Sequence, residues 1–299
     1  MAKIVTPAMI KYNKKHKKGQ KFSPAKEAWR RFARNKTALI GLALLGFLIL
    51  VAIFATVIAP YTFEEQVVSD AFQSPSSAHI FGTDNLGRDL FSRCVYGTRY
   101  TLLLSVLCCL ASMATGGVIG LIAGYCGGKV DNIIMRLMDV LMSIPAVLLA
   151  ICIASALGKG IVQLLIAMTV ASLPMMARNV RTAILNVRAA EYVEASQAIG
   201  VSKTRMLLRH MVPNAVGVLV IYIIDMVSMN IGVIASLSYI GVGLKPPAPE
   251  WGLILSDSKQ YFTAYPYMIL FPALLIMIAI MAMNMMGDGL RDAFDPRLK

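Results

Sequence analysis

Ionisable side chains set inside long apolar runs are the groups with which this sequence could do chemistry, and they are few. A charge buried in such a run is costly, so each one is a functional candidate by default. Asp225 sits near the middle of the run 215–237 as a lone carboxylate, able to meet an ammonium group or a cationic side chain. A hydrogen bond to a neighbouring helix is the alternative reading. Ser228 and Asn230 follow it, and either line the same path or tie helices together. Asp139 comes three residues after Arg136 on one helix face, which suits a local ion pair. A third set of charges, Asp84, Arg88, Asp89 and Arg93 with Gly87 among them, lies in the polar stretch 61–100. It reads either as a contact surface for another protein or as an internal salt-bridge knot.

No catalytic constellation accompanies these charges. His16, His79 and His210 are spread over different segments, so no metal site is indicated. Cys94, Cys108, Cys109, Cys126 and Cys152 show neither zinc nor CxxC spacing. They read as small hydrophobes with no structural disulfide. The Gly-x4-Gly-Lys-Ser/Thr pattern is absent, so the chain cannot cradle a nucleotide phosphate by that route, and Lys159 between two glycines is a turn. The expectation is a chain that does no covalent chemistry and binds no cofactor or metal of its own.

The elements that would hold these residues are membrane helices. The 299 residues are 57% hydrophobic and 15% charged, with mean hydropathy +0.66. A soluble domain carries about a quarter charged residues. Apolar runs long enough to span a bilayer are read at 38–59, 101–125, 134–156, 161–177, 215–237 and 267–286, which makes an all-α protein of six transmembrane helices. A basic tail and an amphipathic helix occupy 1–37, with Trp29 and Phe32 interleaved with Lys26, Arg30, Arg31, Arg34 and Lys36 at a membrane interface. The first span fills 38–60, an extracytoplasmic segment 61–100, a five-helix core 101–287 and a short tail 288–299. Cys108, Ser112, Gly116, Gly120, Gly124 and Gly128 recur every four residues. They form a ridge that lets a second helix approach, or reflect simple glycine tolerance. Of 29 lysines and arginines, 23 fall in the two ends and in loops 127–136 and 178–209. That asymmetry places both termini in the cytoplasm, with no nucleic-acid role for the +13 net charge.

The longest polar interruption of the apolar part is Glu191–Asn214, in loop 178–214. Glu191 and Glu194 suit the first turn of a helix, Tyr192, Ala195 and Ile199 share a face, and Gly200 supplies a left-handed stop. Ser202 is a candidate cap for a second helix, Lys203–Met211, which Pro213 is expected to close. A short exposed helix of this kind suits docking into a groove on a partner. An ordinary connecting loop is the alternative.

Glu194-Ala195-Ser196, Gly200 and Val212-Pro213 resemble the EAA loop of ABC importer permeases, with Ser196 in place of the second alanine. Three further blocks resemble the C-type permeases of the dipeptide, oligopeptide and nickel branch. They are Phe81–Asp84 with Gly87–Asp89, Ser92-Arg93 and Gly97–Arg99; Leu237–Gly243 with Pro246-Pro247 and Pro249–Gly252; and Asn284 with Gly287–Asp292 and Asp295-Pro296. The resemblance runs from about Trp29 to Pro296.

The resemblance implies a type I ABC importer transmembrane domain in a bacterial inner membrane. It implies a second, B-type permease, two ATP-binding subunits that carry ATP and magnesium, and an extracytoplasmic substrate-binding protein. It assigns coupling to the ATPases to Glu191, Tyr192, Glu194, Ala195, Ser196, Ala198, Gly200 and Pro213. Dipeptides or oligopeptides are the expected cargo, with nickel, a metallophore or glutathione as alternatives. A secondary transporter working alone is the rival from another class, and it would need paired ionisable residues along its path.

Overall fold

The computed structural model describes residues 24–294, and its described residues form no strand beyond an isolated bridge between Thr83 and Asp89. The readings made for the basic stretch 1–22 and for Asp295-Pro296 lie outside those residues. Helix α1 (Pro24–Phe32) buries Ala28 and Phe32 and leaves Trp29 60% exposed. Asn35 then starts α2 (Lys36–Ile53) by accepting from the N–H groups of Thr37 and Ala38 at 3.1 and 3.2 Å. Amides at a helix start have no partner in the helix and need such an acceptor. After a break at Phe54 comes the short α3 (Ala55–Ile58). Arg99 donates to the carbonyls of Ala52 (2.9 Å) and Ile53 (3.1 Å), satisfying the opposite end of α2.

Two helices start far before the apolar runs that announced them, and the helices Ile161–Arg188 and Tyr267–Phe294 run past the ends of theirs. α4 (Leu90–Ser112), a π-helical turn at Met113–Gly117 and α5 (Val118–Cys126) make one helix of 37 residues. It starts well before Thr101 because Asp89 caps it, accepting from Ser92 N–H at 2.7 Å, and because Leu90 and Cys94 are buried. Later, α10 (Lys203–Arg205), a π-helical segment at Met206–Met211 and α11 (Val212–Tyr239) make a second helix of 37 residues. Pro213 therefore does not close a helix, as the sequence suggested; it stands in the first turn of α11. A proline needs no donor there, and the wider π turns just before it relieve the usual clash of its ring with the preceding turn.

The third span is the reverse case. It is expected as one helix over 134–156 but is two, α6 (Gly128–Met142) and α7 (Ala146–Leu157), bent by 77°. Pro145 holds the break, and a residue before proline is pushed out of the helical region. α8 (Ile161–Arg188) carries Pro174 without breaking. The short α9 (Glu191–Ala198) and α12 (Trp251–Ser258) and the long α13 (Tyr267–Phe294) complete the order. Five helices among the described residues are long and apolar enough to cross a membrane, and the bent pair adds a sixth if its two halves make one span.

α13 packs against α2 and α11, and α5 against α8. The glycine ridge sets the second contact. A Cβ at Gly116 would stand 2.6 Å from the Leu173 carbonyl oxygen, and one at Gly120 only 2.2 Å from that of Ala177. Ser112 and Ser172 hydroxyls bond at 2.6 Å on the same seam. Gly128, read as the last member of the ridge, faces open space. Gly120→Leu must push backbone from backbone, so it should lower the stability of the purified protein by about 3 kcal/mol. Gly46→Ala meets nothing within 4 Å and should leave thermal unfolding in detergent unchanged or slightly raised. Equal melting curves for both variants would remove the ridge from the argument.

Candidate functional site

The stretch read as a docking element forms a protruding helix. Of its described side chains in α9, Val193 is buried, whereas Glu191, Tyr192, Glu194, Ala195 and Ala198 are exposed. Ile199, directly after it, is 81% exposed. Tyr192, Ala195 and Ile199 thus make one uncovered face. Ser196 is half-buried and its hydroxyl donates to the Tyr192 carbonyl at 2.7 Å. Gly200 takes φ +81°, a left-handed turn that L side chains rarely adopt, with open space around it. Ser202 begins the next helix through its backbone carbonyl, which accepts from Met206 N–H at 2.9 Å, and makes no side-chain cap. Val193 shares a core cluster with Met206 and Met211, so α9 rests on the π segment of the long helix.

The charges in the apolar runs are paired across helices. Asp225 is not a lone carboxylate, contrary to the sequence reading: its Oδ2 accepts from Arg291 of α13 at 2.8 Å, and Arg291 also reaches Asp288 at 3.2 Å. Nor does it lie at mid-span. Gly287 faces Asp225 and Gly289 faces Ala38 in the first turn of α2, which puts the pair near the end of the bundle where α2 begins. Ser228 donates to Asn284 Oδ1 at 2.6 Å and Asn230 to the Ser105 carbonyl at 3.1 Å, so both tie helices together. Asp139 does not pair with Arg136; it accepts from Arg178 of α8 at 2.6 Å. Long side chains lean toward the helix N-terminus, which carries Arg136 away from Asp139. Asp131 adds a two-point bond from Arg181, both contacts at 2.5 Å, so two ion pairs clamp α6 to α8. Arg178, Asn284 and Arg291 were missed because their partners are 39, 56 and 66 positions away, and no local spacing announces them.

At the other end of the bundle the charges of segment 61–100 form an internal knot. Asp84 accepts from Arg88 Nε and Arg93 Nη1, both at 2.6 Å, and all three are buried. Both arginines also reach Asp257 of α12, at 3.1 and 3.4 Å, so two cations face two carboxylates. Gly87 makes the turn between them at φ +70°. Asp89 meets the buried His79 at 2.9 Å while capping α4. Trp251, fully buried beside this knot, donates to the Cys94 carbonyl at 2.9 Å. Glu250 caps α12 through the N–H groups of Gly252 and Leu253; burial pushes its carboxyl up, and those two bonds oppose the shift.

A bundle of five or six membrane-length helices that presents a short exposed helix before a left-handed turn is the architecture of a polytopic membrane protein. Residues 116–299 match the family described as binding-protein-dependent transport system inner membrane component, and residues 23–75 match the N-terminal TM domain of oligopeptide transport permease C. The chain is 38% identical to the dipeptide transport system permease protein DppC of Alkalihalophilus pseudofirmus, over 93% of this chain and 91% of that one. It is 39% identical to the oligopeptide permease protein OppC of Bacillus subtilis, over 92% and 90%. It is also 39% identical to the glutathione permease protein GsiD of Pectobacterium atrosepticum, over 93% and 92%. Among solved structures, an inward-facing MetNI methionine ABC transporter chain shares the fold at TM-score 0.56 and 19% identity, covering 68% of this chain and 97% of that one. The chain belongs to the family of inner-membrane components of binding-protein-dependent transport systems, in its C-type peptide-permease branch. Its fold is that of a type I ABC importer transmembrane domain, and it is a permease subunit of such an importer.

The knot gives a stability test. Asp84→Ala leaves two buried guanidinium groups facing one half-exposed carboxylate, and breaking a buried pair costs about 3–5 kcal/mol. The variant should melt well below wild type in detergent. Asp84→Ala with Arg88→Met, which restores charge balance, should recover a measurable part of the loss.

Proposed function

We propose that this permease subunit admits small peptides, dipeptides and short oligopeptides, in a complex with a B-type permease, two ATP-binding subunits and an extracytoplasmic binding protein. The cargo class follows the names of the relatives, which specify dipeptides, oligopeptides and glutathione. ATP and magnesium sit on the partner subunits, and this chain is a non-catalytic element with both termini on the cytoplasmic side of a bacterial cell membrane. The gathering of 23 of its 29 basic residues toward that side supports the orientation.

One observation carries the mechanical part: α9 is exposed on nearly every side, yet its single buried described side chain seats it on the helix Lys203–Tyr239. Glu191, Tyr192, Glu194, Ala195, Ser196 and Ala198 would enter a cleft of the ATPase subunit. Ala195 and Ser196 keep the docking surface shallow, and the glutamates favour the helix by facing the positive end of its dipole. Gly200 lets the chain reverse behind the docked helix. Because the helix beyond it runs through Pro213 without a stop, a push on α9 travels along a rigid element to Asp225 and Ser228, and through them to α13. Such an element, biased by ATP at one end and by cargo at the other, is what coupling between sites requires.

Gly200→Val forces a β-branched side chain into a left-handed conformation and should cut ATP-driven uptake of a labelled dipeptide at least tenfold, at wild-type levels of the membrane protein. Uptake at the wild-type rate would sink the coupling role of this turn. Purification of the tagged chain in mild detergent should recover a second permease and P-loop ATPases; recovery of the chain alone, with transport persisting in a host lacking those ATPases, would overturn the importer mechanism.

A further inference from the structure

The end of the bundle opposite α9 carries a groove of about 270 Å³ that the argument above does not use. Phe63, Tyr100, Leu244 and Pro247 line it together with two opposite charges, Glu64 and Lys245. The floor is fixed. Leu244 is buried, Phe63 meets Tyr100 edge-on at 6.2 Å, and Gly160 N–H donates to the Gly243 carbonyl at 3.3 Å, closing the α7–α8 turn onto the segment after α11. Glu64 and Lys245 are both exposed, and neither forms an ion pair with the other or with any described residue. An anion and a cation that line one groove without meeting leave room for a molecule carrying both charges.

We infer that this groove is a receiving site for the zwitterionic ends of a short peptide, with Glu64 taking the ammonium group and Lys245 the carboxylate. The inference rests on the peptide reading above and adds to it a site on the permease itself. The aromatic wall suits the ammonium end, because a cation is attracted to a ring face. The size suits two residues. An extended dipeptide is about 7 Å long, and the volume falls just below the roughly 300 Å³ at which ligand pockets begin, which restricts the groove to a small ligand. A longer peptide would place only one of its ends here.

Binding should be measured on the purified permease–ATPase complex in nanodiscs, without the binding protein. Equilibrium dialysis would use radiolabelled alanyl-phenylalanine, its N-acetyl form and its C-terminal amide. Glu64→Gln should weaken binding of the free dipeptide about threefold to fivefold, the scale of an exposed ion pair, and leave the N-acetyl form unchanged. Lys245→Gln should do the same for the free dipeptide and leave the amide unchanged. Glu65→Gln, which lines a separate cavity with Tyr61 and His79, should change neither. Equal weakening of all three ligands, or no detectable binding to the wild-type complex, would each overturn the inference. Wild-type cells that take up no dipeptide would instead overturn the cargo reading itself.

Discussion

Three carboxylates of the long helices, Asp131, Asp139 and Asp225, each meet an arginine from a different helix. Asp131 is buried, so its pair with Arg181 is costly to break, whereas Asp139–Arg178 and Asp225–Arg291 are exposed pairs that orient helices at small energetic gain. The first two pairs pin the bent third crossing to α8, and the third pins α11 to α13. At the far end, Asp84 and Asp257 balance Arg88 and Arg93 and anchor the polar segment to α4 and α12. The three long-helix pairs and Arg93–Asp257 each join two helices.

Between the joints, packing is set by small residues and by departures from regular helix. Gly116 and Gly120 let α5 lie on the backbone of α8, closer than any side chain allows. The π-helical turns at Met113–Gly117 and Met206–Met211 shift the register of the two longest helices without breaking them. One of them precedes Pro213 and lets the helix continue from the connecting loop to the far end of the bundle. A stiff rod that long turns a local displacement into a displacement of a whole crossing.

The sequence made some parts legible and hid others, and the division follows distance along the chain. Composition and long apolar runs announced a six-crossing membrane protein, and short-range spacing announced α9, its exposed face and the left-handed Gly200. The ordered motifs announced the family. The misreadings of charge concern contacts between distant residues. Asp225 was read as solitary because Arg291 stands 66 positions away, and Asp139 was given the neighbour Arg136 for want of knowing Arg178.

Hydropathy sees the solvent a segment prefers, and local propensity sees its first and last turns; both are properties of a few adjacent side chains. The sequence by itself therefore determined that this chain is helical and membrane-embedded, lacks the P-loop pattern, and carries a short helix after Ala190 with an exposed face. Where helices end once other helices cover them, which proline stops a helix and which does not, and which charge neutralises which are decided by neighbours from elsewhere in the chain. Pro145 bends a crossing by 77° while Pro213 interrupts nothing. Pro174 and Pro272 also lie inside unbroken helices, so the residue type alone does not decide whether a helix stops.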